Sequence, residues 1–300
     1  MKAVDRRRMC PHCRAFISSD DKICPYCEEP IGASAGTRIT LTGGSSDSGG
    51  VASSLVPDHS AMTLLFLLVN VALFLASVWV SANSGNNGAI MGLDNRTLIL
   101  LGAKWRPEII YAGQWWRLIT AGFLHGGIMH IFMNGLSLFH VGRHFEDYLG
   151  STRFIIVYVV ATITGFFFSL IASPGSTSVG ASAALAGMVG ALLASSSAPG
   201  SPTAPIRRLY VQWTWGLLVI GFIGNLTGMM RIDNAAHIGG LAGGWLFIKI
   251  AGFPGAQRSA AEVVWRVLSV VLVLLTLVSF FKMYVFFSAL SASPAYRMRF

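Results

Sequence analysis

From residue 61 onward the chain is a series of long apolar stretches separated by short breaks, at 61–82, 127–147, 152–173, 181–198, 209–229, 234–252 and 263–289. Each is close to the ~20 residues that a helix needs to cross a hydrocarbon core of ~30 Å. The pattern predicts an all-α polytopic membrane protein, with six spans in 61–252 and one more in 253–300. The break at about 83–126 is long and not uniformly polar, with Leu98-Ile99-Leu100-Leu101, Trp105, Ile109-Ile110-Tyr111 and Trp115-Trp116. It reads either as interfacial half-helices with aromatics at headgroup depth or as an ordinary folded loop. Ahead of the first span, 33–60 is rich in Gly, Ser and Thr, lacks a periodic apolar face and reads as a flexible linker.

Composition agrees with the pattern. The 300 residues are 53% hydrophobic and 12% charged, with a mean hydropathy of +0.61, outside the range of a soluble domain. A net charge of +9 could suggest nucleic acid, but seven of the 22 Lys/Arg lie in the first 60 residues and most others flank apolar runs. That is a topology signal, so no nucleic-acid partner is expected. With the N-terminus inside, the cytosolic stretches hold 14 Lys/Arg and the outer ones eight. No cleavable signal peptide is expected, because the first apolar run begins only at residue 61.

All four cysteines lie in residues 1–32, as Cys10-Pro-His-Cys13 and Cys24-Pro-Tyr-Cys27. Two such knuckles ten residues apart suit one tetrahedral zinc ion and resemble a small zinc ribbon. A disulfide pair and a redox CxxC are the rival readings. A module this short has too little core to fold alone, so zinc would hold it together as a structural ion. Its ligands must stay reduced, which agrees with a cytosolic N-terminus and allows a cytosolic partner for the ribbon.

The candidate chemistry lies in the spans. His130 and Asn134 fall early in the second run, Ser182 at the start of the fourth and His237 early in the sixth. Even-numbered spans cross in the same direction, so these residues share one layer, roughly one to two helical turns below the outer surface. Polar groups at that depth are expensive and mark a functional site. The bland reading of Gly180-Ala181-Ser182-Ala183-Ala184 is a small-residue helix contact. Convergence of the other polar residues favours a nucleophilic Ser182 instead. His130 and Asn134 stand at i, i+4, so both can donate toward one point. Gly180 permits a tight turn before a helix whose free N–H groups suit a developing oxyanion. Ala236, Gly240 and Gly244 form a small-residue ridge around His237, which reaches Ser182 if its helix packs on the fourth span.

Together, Trp116-Arg117, the HxxxxHxxxN pattern of His125, His130 and Asn134, Gly180-Ala181-Ser182 as GxS, and Ala236-His237 with the glycines after it resemble the rhomboid intramembrane serine proteases. The resemblance covers about 61–252 and implies a six-helix rhomboid-like core, the last span being an additional C-terminal transmembrane helix. It implies a Ser182–His237 catalytic dyad without a third acid, an oxyanion site of His130, Asn134 and the Ser182 N–H, and no cofactor for catalysis. His125 would shape the first loop, and Trp116 with Arg117 would anchor it at the interface. The partners implied are transmembrane protein substrates and the lipid bilayer. The expected location is a bacterial plasma membrane, multi-pass, with the N-terminus in the cytosol.

Two positions depart from the family pattern. Ala183 follows the nucleophile where glycine is usual, which adds only a methyl group. Ala186 stands where an aromatic often stacks on the catalytic histidine, leaving a Phe from another span to orient His237. The rival functions are a rhomboid-like pseudoprotease that binds or escorts membrane clients, and a transporter or channel with a polar permeation layer.

Overall fold

The computed structural model describes residues 7–10, 16–18, 21–31, 60–197, 201, 203–228, 231–252 and 259–292. Near the N-terminus, β1 (Arg7–Met9) pairs antiparallel with β2 (Phe16–Ser18). Apart from isolated bridges at Ile23–Pro30 and Lys104–Ser178, the other regular elements of the described residues are helical: α1 (Ala61–Asn83), three short helices α2 (Asn95–Leu100), α3 (Arg106–Ile110) and α4 (Arg117–Thr120), then α5 (Ile128–Ser137), α6 (Arg143–Ala172), α7 (Ser182–Ser196), α8 (Arg207–Thr227), α9 (Asn234–Ala251) and α10 (Ser259–Ala292). The break at 83–126 thus contains three short helices, with Leu98, Ile109 and Leu118 buried.

A π-helical turn, Leu138–Gly142, joins α5 to α6. The joined run Ile128–Ala172 has 45 residues, about 68 Å if straight and far longer than a bilayer is thick. Gly150 breaks it, with φ +78° and ψ 162°, a left-handed conformation that only glycine adopts without strain. The expected spans at 127–147 and 152–173 are therefore the two legs on either side of Gly150. Among the described residues, Ala61–Asn83, Ile128–Ala172, Ala204–Thr227 and Ala261–Ser291 are long and apolar enough to cross a membrane.

Of the other two expected spans, α7 is enclosed, whereas α9 buries one face and exposes Ile238, Trp245, Leu246 and Ile250 on the other. α7 has 15 residues, about 22 Å of helix, and nearly all of its side chains are buried. It packs between α6 and α9, where glycines bring backbones together: a side chain at Gly240 would strike the Ala183 carbonyl, one at Gly244 the Gly187 carbonyl, and one at Gly187 the Ala161 methyl. Since α9 has no room to accept even a methyl at Gly240, Gly240→Ala should force α9 away from α7. The expected result is destabilisation of about 1–3 kcal/mol, read by thermal melting.

Polar side chains fasten the apolar helices. Ser60 gives α1 no side-chain cap; instead Glu146, near the start of α6, accepts from the amides of Met62 (3.1 Å) and Thr63 (2.9 Å), the Thr63 hydroxyl (2.8 Å) and Ser151 (2.7 Å). Asn70 of α1 donates to the Tyr158 hydroxyl, which donates to the Gly122 carbonyl. Helix α10 is held at both ends. Buried Arg153 pairs with Glu262 at 2.8 Å, while Phe280 packs edge-on against Phe123 and Phe286 lies 6.0 Å from Trp116. The remaining faces of α8 and α10 expose Leu209, Trp215, Phe222, Leu226, Val267, Leu274 and Phe281, a surface suited to lipid chains.

Candidate active site

The connection between α6 and α7 ends at Gly180, whose φ of +127° lies where side-chain-bearing residues are strained. Its amide donates to the Ala121 carbonyl at 2.9 Å, fixing the turn against the first loop. Ser182 is the first residue of α7, so its own amide has no acceptor within the helix. On α9, the carboxylate of Asp233 caps the helix by accepting from the Ala236 amide at 3.0 Å. One turn later, His237 is 4% exposed and places Nε2 2.8 Å from Ser182 Oγ. Its Nδ1 has no hydrogen-bond partner among the described residues.

Helix α5 supplies the facing wall. A β-carbon built on Gly180 would lie 2.7 Å from His130 Nε2 and 3.5 Å from Asn134 Nδ2. Both side chains therefore converge on the turn before Ser182, and glycine keeps that space open. The Gly126 amide donates to His130 Nδ1 at 3.3 Å, so in a neutral imidazole Nε2 carries the proton and is the donor. His125 is wholly buried and meets the His130 ring edge to face at 5.2 Å.

The expected interfacial role of Arg117 needs correction. It is wholly buried, donating to Gln114 Oε1 (2.7 Å) and to the carbonyls of Ala103 (3.1 Å) and Ile99, with Trp116 and Phe286 against its guanidinium. Burial pulls its pKa down to about 10, against an opposing pull from Glu108, so it remains charged at neutral pH. Arg117 is thus an internal pin of the first loop, held there by three acceptors, with Nη2 left without a hydrogen-bond partner among the described residues. Half-buried Trp116 links that pin to α10.

At Ala186 the structure leaves a cavity of about 200 Å³, lined by Ala186, His237 and Trp213 together with Leu217, Leu218 and Leu241. The aromatic sharing this space with His237 is thus a Trp from α8, where a Phe was expected. Asp233, which caps α9 one turn before His237, and Lys104, which binds the connection leading to Ser182, were not singled out by sequence. Asp233 carried a readable signal, a helix-capping residue one position before an apolar run. Lys104 had none, since its partners lie about 70 residues away.

In the N-terminal module, the Sγ atoms of Cys10, Cys24 and Cys27 all lie within 4.8 Å of one another, with Cys10 and Cys27 at 3.8 Å. A tetrahedral zinc with Zn–S bonds of ~2.3 Å has sulfur–sulfur edges of about 3.8 Å, so these three thiols are spaced to bind a metal ion. Cys13, the fourth expected ligand, lies outside the described residues.

Comparison with known proteins gives an independent line. The family described as Rhomboid domain matches residues 112–253. The chain is 34% identical over 221 residues to Rhomboid protease GluP of Bacillus subtilis, covering 73% of this chain and 39% of that protein. It is 30% identical over 176 residues to RHOMBOID-like protein 7 of Arabidopsis thaliana (55% and 52%) and 31% identical over 152 residues to Rhomboid-like protease 3 of Toxoplasma gondii (50% and 57%). The chain thus spans roughly half of the length of these curated relatives, or less.

Proposed function

Because this chain is an integral membrane protein that carries a rhomboid domain, we propose that it is an intramembrane serine endopeptidase, cutting transmembrane segments of other proteins near the outer face of the bilayer. The observation that carries this reading is the 2.8 Å approach of His237 Nε2 to Ser182 Oγ, across 55 residues of sequence. His237 takes the Ser182 proton as Oγ attacks the scissile carbonyl, then returns it to the leaving amine. Water releases the acyl group by the same route in reverse. His130 Nε2–H, the Asn134 amide and the Ser182 N–H donate to the oxyanion. A substrate helix has to unwind locally, since an intact helix hides its carbonyls in hydrogen bonds. No metal or cofactor enters this chemistry.

The test is a serine-directed phosphonate probe together with cleavage of a single-span substrate in detergent. Wild type is expected to cut the substrate and to label at Ser182 alone, because only a serine paired with a base is activated. Labelling that survives in Ser182→Ala would remove the assignment, and a folded wild type that neither labels nor cuts would leave the pseudoprotease reading.

We further propose the division 1–32, 33–60, 61–252 and 253–300 as zinc ribbon, linker, six-helix core and additional helix. The N-terminus would be cytosolic, in a bacterial plasma membrane, where the ribbon could meet a cytosolic partner. Cys10, Cys24 and Cys27, with Cys13, would hold one zinc ion, which cross-links a module otherwise too small to fold. Deletion of residues 1–55 should abolish zinc binding and leave cleavage in detergent intact. Complete loss of activity in a folded truncation would make the ribbon part of the enzyme.

A further inference from the structure

Arg117 has no exposed surface, yet its hydrogen bonds do not answer the whole of its guanidinium. Nε and Nη1 reach Gln114 Oε1 and the carbonyls of Ala103 and Ile99, while Nη2 has no partner among the described residues. A buried cation whose donors are not all met is costly unless something else answers its charge. Two aromatic rings do so here: Arg117 Cζ lies 4.8 Å from the ring centroid of Trp116 and 5.1 Å from that of Phe286, both within the ~6 Å over which a ring face attracts a cation. Trp116 belongs to the same loop as Arg117. Phe286 comes from α10, the helix that follows the core.

The same side of α10 meets the loop at two further points. Phe280 packs edge-on against Phe123, and a β-carbon built on Gly102 would lie 3.3 Å from Met283 Cγ and 2.8 Å from the Trp116 ring. The other end of α10 is fixed to α6 by the Arg153–Glu262 pair, so the helix is not free to drift from the loop. The loop passes this hold on to the nucleophile. Ala103, whose carbonyl Arg117 binds, precedes Lys104, whose backbone pairs with Ser178 in both directions at 3.0 and 3.1 Å. Four residues after Arg117, the Ala121 carbonyl accepts from the Gly180 amide at 2.9 Å. Ser178 and Gly180 stand four and two positions before Ser182, so each link from Phe286 to the turn that presents the nucleophile is a direct contact or a chain neighbour.

We propose that Phe286 is a positioning residue for Ser182, its ring answering the buried Arg117 guanidinium and so holding the first loop in the shape that seats the connection before α7. On this account the additional helix is part of the catalytic unit. The inference rests on the proposed serine-protease reading. Displacements of ~1 Å between reacting groups can cost about 10²-fold in rate, so a loosened loop acts on the chemical step and leaves substrate affinity unchanged. Packing alone would be satisfied by any apolar side chain of similar volume, whereas attraction to a guanidinium needs a ring face. That difference separates a positioning role from a merely structural one.

The experiment measures the rate of Ser182 labelling by the phosphonate probe, kcat and KM on a single-span substrate, and amide hydrogen exchange at Ser178 and Gly180, all on the full chain in detergent. Phe286→Leu keeps an apolar side chain and removes the ring; Phe286→Met serves if it does not fold. Either should slow labelling and kcat by about three- to thirty-fold, with KM within about two-fold, and should speed exchange at Ser178 and Gly180 by at least about three-fold. Phe286→Tyr keeps the ring face and should stay within about two-fold of wild type in every reading. In an Arg117→Met background, where no charge is left to answer, Phe286→Leu should cost no more than about two-fold further. A folded Phe286→Leu with wild-type labelling and exchange, a Phe286→Tyr as slow as Phe286→Leu, effects confined to KM, or an undiminished cost in the Arg117→Met background would overturn the proposal. Absence of labelling in wild type would instead overturn the protease reading beneath it, and the exchange rates would still decide whether Phe286 holds the loop.

Discussion

Ser182→Ala, His237→Ala and the double variant are expected to be inactive to the same degree, each losing at least about 10⁴-fold in kcat. The reason is the shared hydrogen bond. Ser182 Oγ is a weak nucleophile until a base removes its proton, and among the described residues the base in reach is His237 Nε2 at 2.8 Å. Losing either atom stops the same step, so a second loss has nothing left to remove. Thermal melting of the three variants checks that each is folded. The assay is cleavage of a single-span substrate with each purified variant. Losses that multiply in the double variant would mean that the two residues act separately, and would remove the dyad.

Asn134→Ala is the second large expectation, and it differs in kind. Asn134 is buried, one turn from His130 on α5, and its Nδ2 borders the open space at Gly180. A donor there meets charge only when the carbonyl oxygen becomes an oxyanion. Its loss should lower kcat by about 10²–10³, roughly 3–4 kcal/mol, and barely change KM. His130→Ala should behave likewise, because the Gly126 amide holds its Nδ1 and leaves Nε2 as the donor. A normal kcat, or a defect only in KM, would make Asn134 a helix-packing residue.

Much of this geometry was legible before any coordinates. Depth along an apolar run is a one-dimensional quantity, so spacing alone suggests that His130, Asn134, Ser182 and His237 could meet; His237 lies against Ser182, and His130 and Asn134 border Gly180. The glycines of α9 announced a close backbone contact, and the Gly240–Ala183 and Gly244–Gly187 approaches are that contact. What hydropathy could not tell was what lies beside what. Arg117 is charged and follows two tryptophans, a pattern that fits an interface, yet its acceptors are carbonyls folded back from the same loop. Lys104 contributed to a tally of outer cations, although its ammonium is enclosed by the connection before α7. Likewise, the last apolar run says nothing of the Arg153–Glu262 pair that fixes it to α6. Apolar periodicity reports burial, whereas these contacts depend on the path of irregular backbone.

The capping of α1 by Glu146 also bears on how the chain is made. Thr63 and its carboxylate partner are 83 residues apart, so at synthesis rates of ~5–20 residues per second the helix leaves the ribosome roughly 4–17 s before its acceptor exists. Throughout that interval the first amides of α1 must stay hydrated at the bilayer edge. Insertion and docking are therefore separate events for this helix: first in, it is seated only when a later segment arrives to receive it. Arg153 waits longer still, with 109 residues to come before Glu262 is made.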